Sequence, residues 1–150
     1  PIVLPERIDA GLLAWLRGQP WPVVVVVHAN HANEFDADVD AAMAALRDAG
    51  ATLLNQAVLL RGVNDSVEAL ADLCVRGFAA GVLPYYLHQL DRVAGAAHFE
   101  VGDDEALALH AALAARVPGY LLPRLVREVA GDPGKRALAA AWTPPPPSCN

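Results

Sequence analysis

Apolar residues come in two rhythms along this chain, short unbroken runs and stripes at helical spacing, and the two alternate. Residues 1–4 read as the tail of a strand. Ile8, Leu12, Leu13 and Leu16 form an i, i+4, i+8 stripe that predicts a helix over residues 5–17, ended by Gly18 to Pro22. Val23 to Val27 is apolar on both faces, as a central parallel strand requires. Val39, Met43 and Leu46 predict a helix over 36–49, closed by Gly50. The next strand is expected over 52–60. Asp65 followed by Glu68 is capping-box-like and opens a helix carrying Val67, Leu70, Cys74 and Phe78, which stops at Gly81. Residues 82–87 again read as a strand. Asp103 and Asp104 open a helix with Leu109 and Leu113 on one face, broken at 117–119. Residues 121–129 read as a last strand, in which Pro123 argues for an edge or a bulge.

Strand and helix thus alternate with short connections, which predicts an α/β fold with a parallel sheet under helical cover. Three or four such units are too few to close a barrel of eight. They fit part of a TIM-type barrel, cut on its N-terminal side. The expected organisation is a barrel portion over 1–130, a loop and extension over 131–142, and a Pro-rich tail over 143–150 that holds neither helix nor sheet. The opening PIVLP, with no initiator Met and no signal peptide, reads as a piece of something longer.

Composition narrows the classes of function. The chain is 55% hydrophobic over 150 residues, enough for one domain with a core. It lacks the roughly 18 consecutive apolar residues of a membrane span. A net charge of −6, with dispersed basic residues, argues against a nucleic-acid surface. Two cysteines, Cys74 on a helix face and Cys149 in the tail, form no disulfide framework, so a reducing cytoplasm is favoured.

Four places carry candidate chemistry. His28, His31 and Glu34 stand in HANHANE directly after a strand, where barrel sites lie. Two imidazoles and a carboxylate at this spacing suit a metal, as in a barrel hydrolase, a cofactor-contacting loop, or side chains that cap the next helix. Asn55 and Gln56 form a polar pair inside an apolar strand, and both need partners: a bridge to a neighbouring strand or a ligand. In GVLPYYLHQLD, residues 81–91, a strand turns polar at its end and is followed by Asp91, either a solvated loop carboxylate or a binding group. Lys135 sits in the Gly/Pro turn GDPGKR, either on the surface or as an amine nucleophile.

Taken in order, H-x-N-H at 28–31, NQ at 55–56, GVLPYYLHQLD with GAAHF at 81–99, and the lysine of the turn at 135 resemble the lysine 2,3-aminomutase family of radical S-adenosylmethionine (SAM) enzymes. The wording is nearest to the branch that makes β-lysine for elongation factor P. The resemblance implies conversion of L-lysine to β-lysine with SAM, a [4Fe-4S] cluster and pyridoxal phosphate (PLP). It implies that Lys135 is the catalytic, PLP-holding lysine, that His28 and Gln56 lie by SAM, and that Asp91 reads the ε-ammonium of substrate. Glu128 occupies the place of a second such carboxylate, one methylene longer than the family's Asp. His98 and Phe99 are expected to shape a loop. A ligase-like partner would attach the product to elongation factor P, and assembly of identical copies is compatible with the resemblance. The glycine run before Lys135 is interrupted by Asp132 and Pro133, as in the elongation-factor branch. The family's C-x-x-x-C-x-x-C cluster motif is absent from these residues, which implies a fragment inactive alone. A non-catalytic fragment that binds PLP is the remaining alternative.

Overall fold

Alternating burial along the second strand explains the architecture. In Ala51–Leu59 the odd positions Ala51, Leu53, Asn55, Ala57 and Leu59 are buried, while Thr52 is exposed and Leu54, Gln56 and Val58 are half-buried. One face of the sheet is therefore covered and the other is open. A computed structural model describes residues 2–91, 95–129 and 131–138. These form five strands, β1 (Val23–Val27), β2 (Ala51–Leu59), β3 (Val82–Gln89), β4 (Arg124–Arg127) and β5 (Arg136–Ala137), in spatial order 1-2-3-4-5. The first four are parallel and β5 is antiparallel to β4. Helices α1 (Ala10–Arg17), α2 (Ala37–Asp48), α3 (Val67–Ala79) and α4 (Asp103–Ala114) precede and connect the parallel strands. When each strand lies beside its predecessor, right-handed crossovers place the connecting helices on the same face.

The core lies between the covered face and α2 and α3. Met43, Leu46, Leu53, Leu59, Leu70, Leu87 and Val82 are fully buried there. Caps define the helix starts. Asp9, Asp36 and Ser66 accept from the backbone N–H of Leu12, Val39 and Ala69 at 2.8, 2.9 and 3.2 Å. At the end of α3, Gly81 takes a φ of +80°, which only glycine adopts readily, and turns the chain straight into β3.

Several expectations change. Among the described residues, 2–4 form no strand, and the first helix starts at Ala10 because Asp9 caps it and Pro5–Arg7 is a separate 3-10 turn. Asp65 does not cap α3; its carboxylate accepts from Gly62 N–H at 2.9 Å, and Ser66 is the cap. Phe78 is 46% exposed rather than part of the buried stripe, and its ring packs on Tyr120 at 5.7 Å. Val23–Val27 is the edge of the described sheet, not its centre, and Val24 is 53% exposed. The last strand is short because Gly119–Leu121 forms a 3-10 turn first. Pro123 precedes β4, where its missing N–H removes no ladder bond, and its carbonyl faces His110 Nε2 at 2.8 Å. The Pro-rich segment 143–148 and Cys149 lie outside the described residues.

Candidate active site

Strand register brings the polar residues together on the open face. Gln56 on β2 pairs with Tyr86 on β3, which pairs with Arg124 on β4, and one step on Val58, His88 and Val126 are in line. A register shift between Asn55 and Gln56 sets this alignment. His28 follows β1 one residue beyond the last pair, Val27 with Asn55. Asp91 follows β3, and Glu128 follows β4. These are the C-terminal ends of parallel strands, where side chains can converge without disturbing the core.

His88 is the centre of the cluster. Its Nε2 lies 3.1 Å from Gln56 Oε1, and its ring meets Tyr86 edge-on at 5.6 Å. The Tyr86 ring also carries the Lys135 ammonium at 5.5 Å and the Arg124 guanidinium at 5.7 Å, both within cation–π reach. Lys135 Nζ donates to Glu128 Oε1. Burial lowers the pKa of His88, as do Lys135 and His28, while Glu128 and Asp91 oppose the shift. Of the five residues expected from sequence, Gln56 touches this imidazole directly, and Lys135, Glu128, Asp91 and His28 bear on it through their charge. Lys135 holds the Glu128 carboxyl below its ordinary value through the hydrogen bond and its charge.

Lys135 is also the one lysine in the sequence, beside ten arginines. Its side chain is 28% exposed, and it lines an open cleft of about 290 Å³ with Glu128, Val129, Asp132, Pro133 and Gly134. That volume is near the lower end of the roughly 300–1,000 Å³ typical of small-molecule sites. An amine at the wall of such a cleft is within reach of an aldehyde group. Iron–sulfur ligation does not fit the described cysteine. Cys74 is buried in the core, and burial pushes its thiol up to about 12, against formation of the thiolate a cluster needs.

The neighbouring amides Asn55 and Gln56 part company. Asn55 is on the covered face, where its Oδ1 accepts from Ala29 N–H and its Nδ2 donates to Ala29 O, both at 2.9 Å. Asn30 and Asn64 complete a clamp. Asn30 Oδ1 accepts from Val58 N–H at 2.8 Å. Asn64 Nδ2 donates to Asn30 O and Val58 O at 2.8 and 2.9 Å, and its Oδ1 accepts from Leu60 N–H at 2.7 Å. These bonds tie the loop that bears His28 to β2.

The metal reading of His28, His31 and Glu34 is not supported by where these side chains lie. Glu34 Oε1 accepts from Asn30 and His31 N–H at 2.6 and 2.8 Å, and His31 Nδ1 accepts from Asn33 N–H at 3.2 Å. The pair is a capping box for the 3-10 turn Ala32–Glu34. Among the described residues, no group of three His, Cys, Asp or Glu is placed to hold a metal ion. His98 and Phe99 lie in a 3-10 turn, where Phe99 O accepts from Arg61 N–H at 2.9 Å.

Sequence reasoning placed His88 at the polar end of its strand without giving it a role, and did not reach Tyr86, Arg124 or Asn64. The signal for His88 and Tyr86 was present: period-two alternation puts both on one face of a strand that ends at a candidate site.

No protein-family model matches the chain. It is 51% identical over 138 residues to L-lysine 2,3-aminomutase of Escherichia coli (strain K12), covering 92% of this chain and 40% of that protein. It is 45% identical over 139 residues to the Haemophilus influenzae protein of the same name, covering 93% of this chain and 41% of that one. With the L-lysine 2,3-aminomutase of Clostridium subterminale it shares 37% over 135 residues, 90% of this chain and 32% of that protein. The chain thus spans about two fifths of the length of the first two. Its fold matches a radical SAM methyltransferase from Sphaerobacter thermophilus with TM-score 0.56 at 17% identity, over 78% of this chain and 37% of that one. The chain is homologous to the L-lysine 2,3-aminomutases and has the α/β architecture of part of a radical SAM enzyme.

Proposed function

We propose that these residues form the C-terminal wall of the site of a radical SAM L-lysine 2,3-aminomutase, which isomerises L-lysine to β-lysine. The observation that carries the reading is the position of the sole lysine, held by Glu128 beside Tyr86 on the face that also bears Gln56 and His88. In this reading Lys135 holds PLP, His28 and Gln56 contact SAM, and Asp91 and Glu128 receive the ε-ammonium of lysine. PLP, when bound, supplies the electron-delocalising ring on which amino migration depends. The protein's part is to bind and orient.

Glu128 already accepts one ammonium, that of Lys135, and a carboxylate at a cleft wall can accept another of the same chemistry. Tyr86 presents an apolar face that shields Lys135 on one side. The cluster is assigned to a part of the protein outside these 150 residues, which by themselves would not turn over lysine. The interrupted glycine run at Asp132 and Pro133 favours the branch that serves elongation factor P through a ligase-like partner, in the cytoplasm. Among the described residues, no helix is long and apolar enough to cross a membrane.

Incubation with PLP followed by borohydride reduction tests the assignment. A stable adduct is expected on Lys135 by mass spectrometry, and Lys135→Ala should abolish it. Absence of an adduct in the parent protein would sink the reading. Production of β-lysine by residues 1–150 alone would contradict the placement of the cluster elsewhere.

A further inference from the structure

The Gln56 end of the open face belongs to β2 and the Lys135 end to the β4–β5 connection. Strand β3 lies between them, and its His88 touches both sides, Gln56 directly and Lys135 through Tyr86. His88 Nε2 and Gln56 Oε1 are 3.1 Å apart, and with the amide in this orientation its oxygen accepts, which pairs with the Nε2–H tautomer of the imidazole.

A primary amide has two orientations of nearly the same shape, and its partners decide between them. We propose that His88 is a positioning residue: by donating Nε2–H to Gln56 Oε1 it turns the Gln56 NH2 outward and commits it to an oxygen acceptor on the bound ligand. The inference rests on the reading above, in which that ligand is SAM. In the Nε2–H tautomer the ring donates without a second proton, and burial, Lys135 and His28 disfavour that second proton while Glu128 and Asp91 favour it. Without the imidazole both amide orientations are open, and a ligand must select one at its own cost in affinity.

A double-mutant cycle on the full-length, cluster-loaded protein tests this. SAM dissociation constants are measured for the parent, His88→Ala, Gln56→Ala and the double variant, with borohydride trapping of PLP on the same samples. Each single variant should bind SAM about three- to tenfold more weakly, the scale of one hydrogen bond, and the double variant should lose no more than Gln56→Ala. Trapping at Lys135 should persist throughout. His88→Gln, whose amide nitrogen reaches towards the place of Nε2, should recover most of the affinity and guards against a folding defect in the alanine variant. Additive losses, no rescue by glutamine, or unchanged SAM binding in His88→Ala would overturn the inference while leaving the functional reading intact. A parent protein that binds no SAM and traps no PLP would overturn both.

Discussion

The Lys135–Glu128 pair shows how one residue sets another's charge. The folded-state pKa of Glu128 is lowered from the ordinary 4.5, first by the hydrogen bond from Lys135 and then by its charge. A depressed carboxyl contributes stability above its unfolded value, and that contribution disappears as pH falls through the folded value. Both groups are solvent-accessible, so the effect on stability is small. The direct observable is the titration of Glu128 followed by carboxyl-carbon NMR. In Lys135→Ala the midpoint should move up towards the ordinary value. An unmoved midpoint would mean that the pair does not persist in solution.

At the scale of elements, three asparagines hold the β1 loop and β2 together. Asn64 is fully buried and makes three hydrogen bonds to the backbone of Leu60, Asn30 and Val58. Its removal leaves a part-buried N–H and two carbonyls without these partners, a larger loss than the net worth of the bonds themselves. Asn64→Ala should therefore cost about 3 kcal/mol, read as a lower urea midpoint with unchanged slope. The amide protons of the His28 loop should also exchange faster. A shift within about 0.5 kcal/mol, as at an ordinary surface site, would show that the clamp is not needed. Element types and most boundaries were legible because hydrophobic period and caps are local. Helix 36–49 became Ala37–Asp48 between an Asp36 cap and Ala49. Asp65 and Ser66 were not separable, since either side chain suits an N-cap and only the chain's path into α3 chose between them.

For the whole molecule, the covered face carries the packed core and the open face carries the candidate site. Cys74 tests the first half of that division. It is 4% exposed, and burial raises its thiol to about 12. In a Cys149→Ser background, labelling by a thiol-specific disulfide reagent should be negligible in the native protein and complete in denaturant. Rapid native labelling would show that the core opens easily. The open face explains why the polar residues there tolerate exposure: they need no internal partner to offset burial, and they are accessible to a ligand.

The sequence by itself determined the parallel α/β order, the strand-end placement of His28, Asp91 and Glu128, and the likeness carried by the four motifs, because all of these are written in short stretches of neighbouring residues. Tertiary structure decided which polar residues meet. Asn55 and Gln56 are adjacent in sequence yet point to opposite faces, one into a backbone bridge and one to His88. His31 and Glu34 looked like ligands until local bonding made them a cap. His88 gained its contacts only when β2 came to lie beside β3. Pairing across strands depends on register between segments some 30 residues apart, and on which face the helices leave open. Neither is encoded in any one of those segments.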